Sequence, residues 1–99
     1  MTRKLVIRGA ARADTEEAAE QYEARATDLG LRFTAAVRAA LDRIVAQPES
    51  YGVAFRDVRA ALVRRRFPFL VLYQVTPDEV VVIGVIPAKS NPAAWQDRT

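Results

Sequence analysis

Four arginines fall within eight positions, Arg59 and the run Arg64-Arg65-Arg66. The run stands directly before Phe67-Pro68-Phe69-Leu70-Val71-Leu72-Tyr73, an apolar stretch of strand character. Guanidinium groups are permanently charged and fork-shaped, so they suit phosphate or carboxylate partners. Carried on a rigid strand, they suit the holding of an anionic partner: RNA, DNA or an acidic peptide. Charges on an edge strand also discourage aggregation, but four in so short a span exceed that need. Along an extended chain, alternation would place Arg64 and Arg66 on one face and Arg65 on the other, so the three would not all serve one site. Tyr73 adds a phenol. In a ribonuclease such a group can handle protons while arginine stabilises the charge that develops on phosphorus. The favoured reading of Tyr73 is a mid-strand core residue whose hydroxyl bonds to backbone.

Other chemistry is poorly supplied. The 99 residues contain no cysteine and no histidine, and Lys4 and Lys89 are the only lysines. Disulfides are excluded. A metal site is not expected, because zinc prefers Cys and His ligands and Glu16, Glu17, Glu20 and Glu23 read as a solvated helix face. No cofactor is expected. The formal net charge of +3 divides unevenly: residues 13–28 carry −5 and the rest of the chain +8. One-sided positive charge is a footprint of nucleic-acid or acidic-partner binding. No apolar run is long enough to span a bilayer, and the basic start, Met1 to Arg8, has too short an apolar run for a signal peptide. A cytoplasmic protein of one domain, residues 1–99, is expected.

The elements that must position these residues follow from hydropathy. Arg3 to Arg8 reads as a short strand ended by Gly9. Asp14 or Thr15 is placed to cap a helix, on which Ala11, Thr15, Ala18, Ala19, Tyr22 and Ala26 form a small-residue face. Asp28-Leu29-Gly30 reads as the break. Phe33, Val37, Ala40, Leu41 and Ile44 mark a second helix, stopped by Pro48, and so short a joint predicts an antiparallel hairpin. Residues 48–57 read as loop. Three strand runs follow, Val58 to Arg65, Phe67 to Val75 and Val80 to Ile86, with a turn at Thr76-Pro77-Asp78-Glu79. Pro87 ends the last strand, and residues 88–99 form a polar tail pinned by Trp95. The order predicts an α+β fold: an N-terminal strand joining the sheet, an antiparallel helical hairpin over one face, and a three-stranded antiparallel meander with its other face open.

Taken together, Ala11, Ala13-Asp14, Ala18 and Tyr22-Glu23, then Gly30-Leu31-Arg32-Phe33, Val37, Leu41, Ile44 and Pro48, then Val58-Arg59, Arg65-Arg66-Phe67-Pro68-Phe69 and Tyr73, and finally Pro92, Trp95 and Arg98, resemble the RelE/ParE superfamily of bacterial toxins over nearly the whole chain. The resemblance implies a toxin of a type II toxin–antitoxin module, neutralised by a cognate antitoxin that wraps it. It leaves three readings: a ParE-like protein that poisons DNA gyrase by binding, a RelE-like endonuclease of ribosome-bound mRNA, or a relative with antitoxin binding and little toxicity. Many relatives carry His-x-x-Arg-Asp-Pro after the last strand, where this chain reads Pro87-Ala88-Lys89-Ser90-Asn91-Pro92. A nuclease would draw on Arg59, Arg64, Arg66, Tyr73 and Arg98. A binder would use Arg59, Arg64, Arg65 and Arg66 as partner contacts and need no catalytic set. The missing His, Arg and Asp favour the binder, and hence a protein that is not an enzyme.

Overall fold

The computed structural model describes residues 3–99, so Met1 and Thr2 of the basic start lie outside the described residues. Strand β1 (Lys4–Ile7) leads into helix α1 (Gly9–Arg25) and helix α2 (Leu29–Ala46); strands β2 (Val53–Phe55), β3 (Val58–Leu62), β4 (Phe69–Val75) and β5 (Glu79–Pro87) follow, and the tail closes in two short 3₁₀ turns, Pro92–Ala94 and Gln96–Arg98. The described strands form one sheet in the order β1-β5-β4-β3-β2. The β3–β4–β5 meander is antiparallel and β1 joins the sheet, as the order of periodicities predicts; the structure adds that β1 pairs with β5 and runs parallel to it. The most uniformly apolar strands, β4 and β5, hold central positions in the sheet, where both faces are covered.

The helices pack on one face. Phe33, Ala36, Val37, Ala40 and Ile44 of α2 meet Ala61, Val71, Tyr73, Val80, Val82 and Val85 of the sheet in the larger core. Gly30 lets the helices approach: a Cβ there would sit 2.6 Å from the Ala19 carbonyl oxygen. Gly30 is thus a buried residue inside α2 and not the break. The joint turns on Asp28, in the left-handed region at φ 68°. Glu23 reaches across it, its two carboxylate oxygens accepting from the Asp28 and Gly30 amides at 3.0 Å each. It thereby satisfies donors that a helix start leaves open.

Four expectations need correction. Helix α1 starts at Gly9, not at Asp14 or Thr15, because Arg8 already supplies the extended cap residue (ψ 156°). Residues 48–57 are not all loop, because Val53–Phe55 pairs with β3 across an irregular register. The strand runs stop short of the arginines: β3 ends at Leu62 and β4 begins at Phe69. Finally, the face opposite the helices is not open. Val58, Leu72, Ile83, Ile86 and Trp95 form a second core there, with Phe55, Ala60, Leu70 and Val81 packed against it. Trp95 lies edge-on to Phe55 with ring centres 5.8 Å apart, so it does pin the tail.

One irregularity in β5 organises the tail. Register shifts between the Leu72–Gly84 and Tyr73–Val82 pairs, leaving Ile83 as an extra residue. Pairing with β1 has ended at Val82, so the far half of the β5 edge needs other partners. Asp14 of α1 accepts from the Val85 amide at 3.0 Å, and Arg98 donates to the Ile83 carbonyl at 3.2 Å. The two side chains are joined by an ion pair of 2.6 Å. A Cβ on Gly84 would lie 2.9 Å from the Arg98 guanidinium, so the bare glycine makes room for it.

Candidate functional site

The loop between β3 and β4 is built to display its arginines. Val63 and Phe67 turn inward and are buried. Phe67 packs edge-on against Tyr22 and Phe33, at ring separations of 5.0 and 5.6 Å. The backbone is held at both ends: the Val63 amide donates to Phe69 at 2.8 Å, and the Ala88 amide donates to Pro68 at 2.8 Å. With the apolar residues fixed inside, Arg64, Arg65 and Arg66 are all exposed. They stand on a turn and not a strand, so strict alternation does not govern them.

Arg64 and Arg66 nevertheless share one concavity. They rim a cavity of about 410 Å³ with Arg32 and Arg43 of α2, over a floor of Ala35, Ala36, Ala39 and Phe67. Arg65 does not line it. Arg43 is partly committed, donating to the Leu62 and Val63 carbonyls at 3.3 and 3.1 Å, which ties α2 to the end of β3. Arg32 and Arg43 were not singled out from the sequence. Their signal is helical spacing, since positions 32, 35, 36, 39 and 43 fall on one helix face that meets the loop only in three dimensions.

The remaining candidates are engaged in the fold. Arg59 points to the helix-covered side and donates to the carbonyls of Glu49 and Tyr51 at 3.2 and 2.5 Å, fastening the segment after α2. Tyr73, directly opposite Arg59 in the ladder, is fully buried and donates its hydroxyl to the Pro48 carbonyl at 2.6 Å. Burial pushes its pKa up to about 12, against the opposing pull of the Arg59 charge. A phenol so placed keeps its proton. Arg98 sits at the other edge of the sheet; its hydrogen bond to Asp14 raises its pKa further. The set Arg59, Arg64, Arg66, Tyr73 and Arg98 is therefore spread over a loop fastening, an open cavity and a tail clasp. Among the described residues no group of carboxylates is arranged to hold a metal ion.

A second concavity, about 540 Å³, opens where the two helices and β1 meet. Leu5, Ile7, Ala19, Val37, Leu41, Val82 and Val85 give it an apolar floor, and Arg12, Glu16, Glu20, Arg38 and Asp42 a rim of mixed charge. It lies beside β1, whose outer edge is unpaired among the described residues.

A family model described as the ParE toxin of the type II toxin–antitoxin system, parDE, matches residues 5–92. No curated protein matches. A solved structure described as the chromosomal ParDE TA system from P. aeruginosa is similar with a TM-score of 0.66 and 18% sequence identity, over 89% of this chain and 98% of that one. At that identity the likeness speaks to the fold alone.

Proposed function

This chain belongs to the ParE toxin family, and from that premise we propose that it arrests growth by binding DNA gyrase and not by cutting RNA. It is the toxin component of a type II toxin–antitoxin module, with an antitoxin as its partner. The observation that carries the gyrase reading is the state of the polar groups a nuclease would need. The Tyr73 hydroxyl is buried on the Pro48 carbonyl, Arg59 is spent on two backbone carbonyls, and Arg98 is bound to Asp14. A general acid or base must reach the proton it transfers, and these groups are turned into the fold. What remains free is surface, and a binding inhibitor needs nothing else. No helix among the described residues is long and apolar enough to cross a membrane, which fits action in the cytoplasm, where gyrase works.

We assign the antitoxin two contacts. Its apolar residues enter the groove between the hairpin and β1, whose floor and open strand edge suit an extended or helical segment. Its acids meet the exposed arginines of the β3–β4 loop. Coupled folding of such a segment buries much surface and so reaches high affinity despite the ordering cost.

The experiment is a pair of reconstituted assays: supercoiling by purified gyrase, and integrity of mRNA on translating ribosomes, each with and without antitoxin. Loss of supercoiling with intact mRNA is the expected result. Cut mRNA with unaffected supercoiling would replace this reading by the nuclease one.

A further inference from the structure

We propose that the arginine-rimmed cavity between α2 and the β3–β4 loop is a binding site for nucleotide phosphate, carried on a nucleic-acid strand or on a free nucleotide. The site is distinct from the apolar groove between the hairpin and β1, but its Arg64 and Arg66 belong to the loop assigned to the antitoxin's acids, so phosphate and antitoxin compete there; it does not depend on gyrase being the target.

Three observations converge on this chemistry. The first is charge without compensation. Arg32, Arg43, Arg64 and Arg66 surround the cavity and no carboxylate lines it. Among the described residues the ion pairs are Arg3–Glu49 and Arg98–Asp14, so the cavity arginines have no acid partner. Five of the chain's twelve acids lie on α1, away from the cavity. Guanidinium groups this crowded repel one another unless an anion sits between them.

The second is preorganisation. Arg43 is oriented by its bonds to the Leu62 and Val63 carbonyls. The loop carrying Arg64 and Arg66 is anchored by buried Val63 and Phe67 and by the Val63 and Pro68 backbone bonds. The cations are therefore gathered before any ligand arrives, and less ordering remains to oppose binding.

The third is shape. Ala35, Ala36 and Ala39 keep the floor low, and a volume of about 410 Å³ falls toward the small end of the range for compact ligands. Several forks converging on one concavity match the multiple acceptor oxygens of a phosphate, which two or more guanidiniums can bind bidentately. An acidic helix would instead want a long apolar stripe, and that feature belongs to the other groove. The apolar floor suits the sugar or base attached to the phosphate.

Fluorescence anisotropy on the purified full chain, without gyrase or antitoxin, tests this with labelled duplex DNA, labelled single-stranded DNA and ATP as probes, across a series of salt concentrations. At least one probe should bind at low salt. Strands without ATP would identify nucleic-acid backbone as the source, and ATP as well would identify nucleotide phosphate generally. The double variant Arg64→Ala/Arg66→Ala should weaken that binding at least tenfold and make the slope of log affinity against log salt shallower by about 2, one for each lost phosphate contact. Ala39→Glu, which sets a carboxylate on the floor, should weaken it as well. Arg25→Ala/Arg56→Ala removes the same net charge outside the cavity and should leave affinity within about threefold. Circular dichroism confirms that each variant is folded. Binding of none of the probes, equal losses from the two double variants, or capture only of an acidic peptide overturns the proposal.

Discussion

At the scale of single residues, the side chains with the most chemical promise in the sequence divide into those the fold consumes and those it displays. Tyr73 is consumed. Its hydroxyl is the donor that satisfies the Pro48 carbonyl just past the end of α2. Tyr73→Phe keeps the ring and strands that acceptor, so unfolding free energy should fall by about 1–3 kcal/mol, measured by denaturant titration. Growth arrest by the folded variant should be unchanged if no proton must move; its loss, with cut mRNA seen only for the wild type, would restore the nuclease. The same phenol predicts a pH dependence. Its folded pKa stands near 12 against an ordinary value of 10.0, so the folded state holds the proton more tightly. That contribution is complete below pH 10 and is lost as pH rises through 12. Stability should therefore fall over that alkaline window, and Tyr73→Phe should flatten the fall, read as unfolding midpoints beside tyrosinate absorbance. The burial of Tyr73 was legible from its place in an apolar run. The engagement of Asp14 with Arg98 was not, because the partners lie 84 residues apart and neither position is marked by local periodicity. Asp14 looks like a helix cap in sequence, and only the β5 bulge, with its unpaired Val85 amide, explains why the carboxylate is where it is.

At the scale of elements, hydropathy was a good guide wherever burial is one-sided or complete and a poor one where it is neither. Helix α2 shows its period because Phe33, Val37, Ala40 and Ile44 all face the larger core. Strands β4 and β5 show as continuous apolar runs because each is sandwiched between two cores. Helix α1 buries only Ala11 and Ala18, so its pattern is faint and the cap expected at Asp14 or Thr15 lies six or seven residues past the true one, Arg8. Strand β2 spans three residues, two of them exposed, too few to show an alternation. The β3–β4 turn was absorbed into its flanking strands because Val63 and Phe67 are buried like strand residues while the arginines between them are free. Gly30 was read as punctuation, the usual meaning of glycine between helices, yet its work is steric. Gly30→Ala tests that: helix propensity alone predicts a gain of about 1 kcal/mol, whereas a Cβ 2.6 Å from the Ala19 carbonyl oxygen must push backbone away. A net loss of about 1–3 kcal/mol is expected and is measured by thermal or denaturant unfolding. A stabilised variant would show that the two helices separate readily enough to admit the methyl group.

At the scale of the whole molecule, one sheet separates two cores of different construction, and they should answer differently to partner binding. The larger core joins the hairpin to the sheet and lies beneath the groove assigned to the antitoxin. The smaller one depends on a residue from the tail: Trp95, 5% exposed, closes over Val58, Leu72, Ile83 and Ile86, and the clasp of Arg98 on Asp14 holds the tail in place. The sequence pointed to Trp95 as an anchor, but the face it covers was expected to be open, since no run of apolar residues announces a core lid made from one side chain on a polar tail. Trp95→Ala removes that lid. Truncating a buried tryptophan costs about 3–5 kcal/mol, a large part of the roughly 5–15 kcal/mol that keeps a domain folded, so the free chain should unfold at a markedly lower temperature. The antitoxin groove is lined by residues of α1, α2, β1 and β5, with none from the tail. If the antitoxin docks there, the folded fraction of the variant should bind it with unchanged affinity. Antitoxin at about 100 times its dissociation constant should then return about 2.7 kcal/mol by linkage alone. Thermal unfolding with and without antitoxin, paired with an affinity measured well below the melting transition, separates the two effects. Equal melting shifts for variant and wild type at matched saturation support the groove. A folded variant that has lost antitoxin affinity would move the docking surface to the tail-covered face of the sheet.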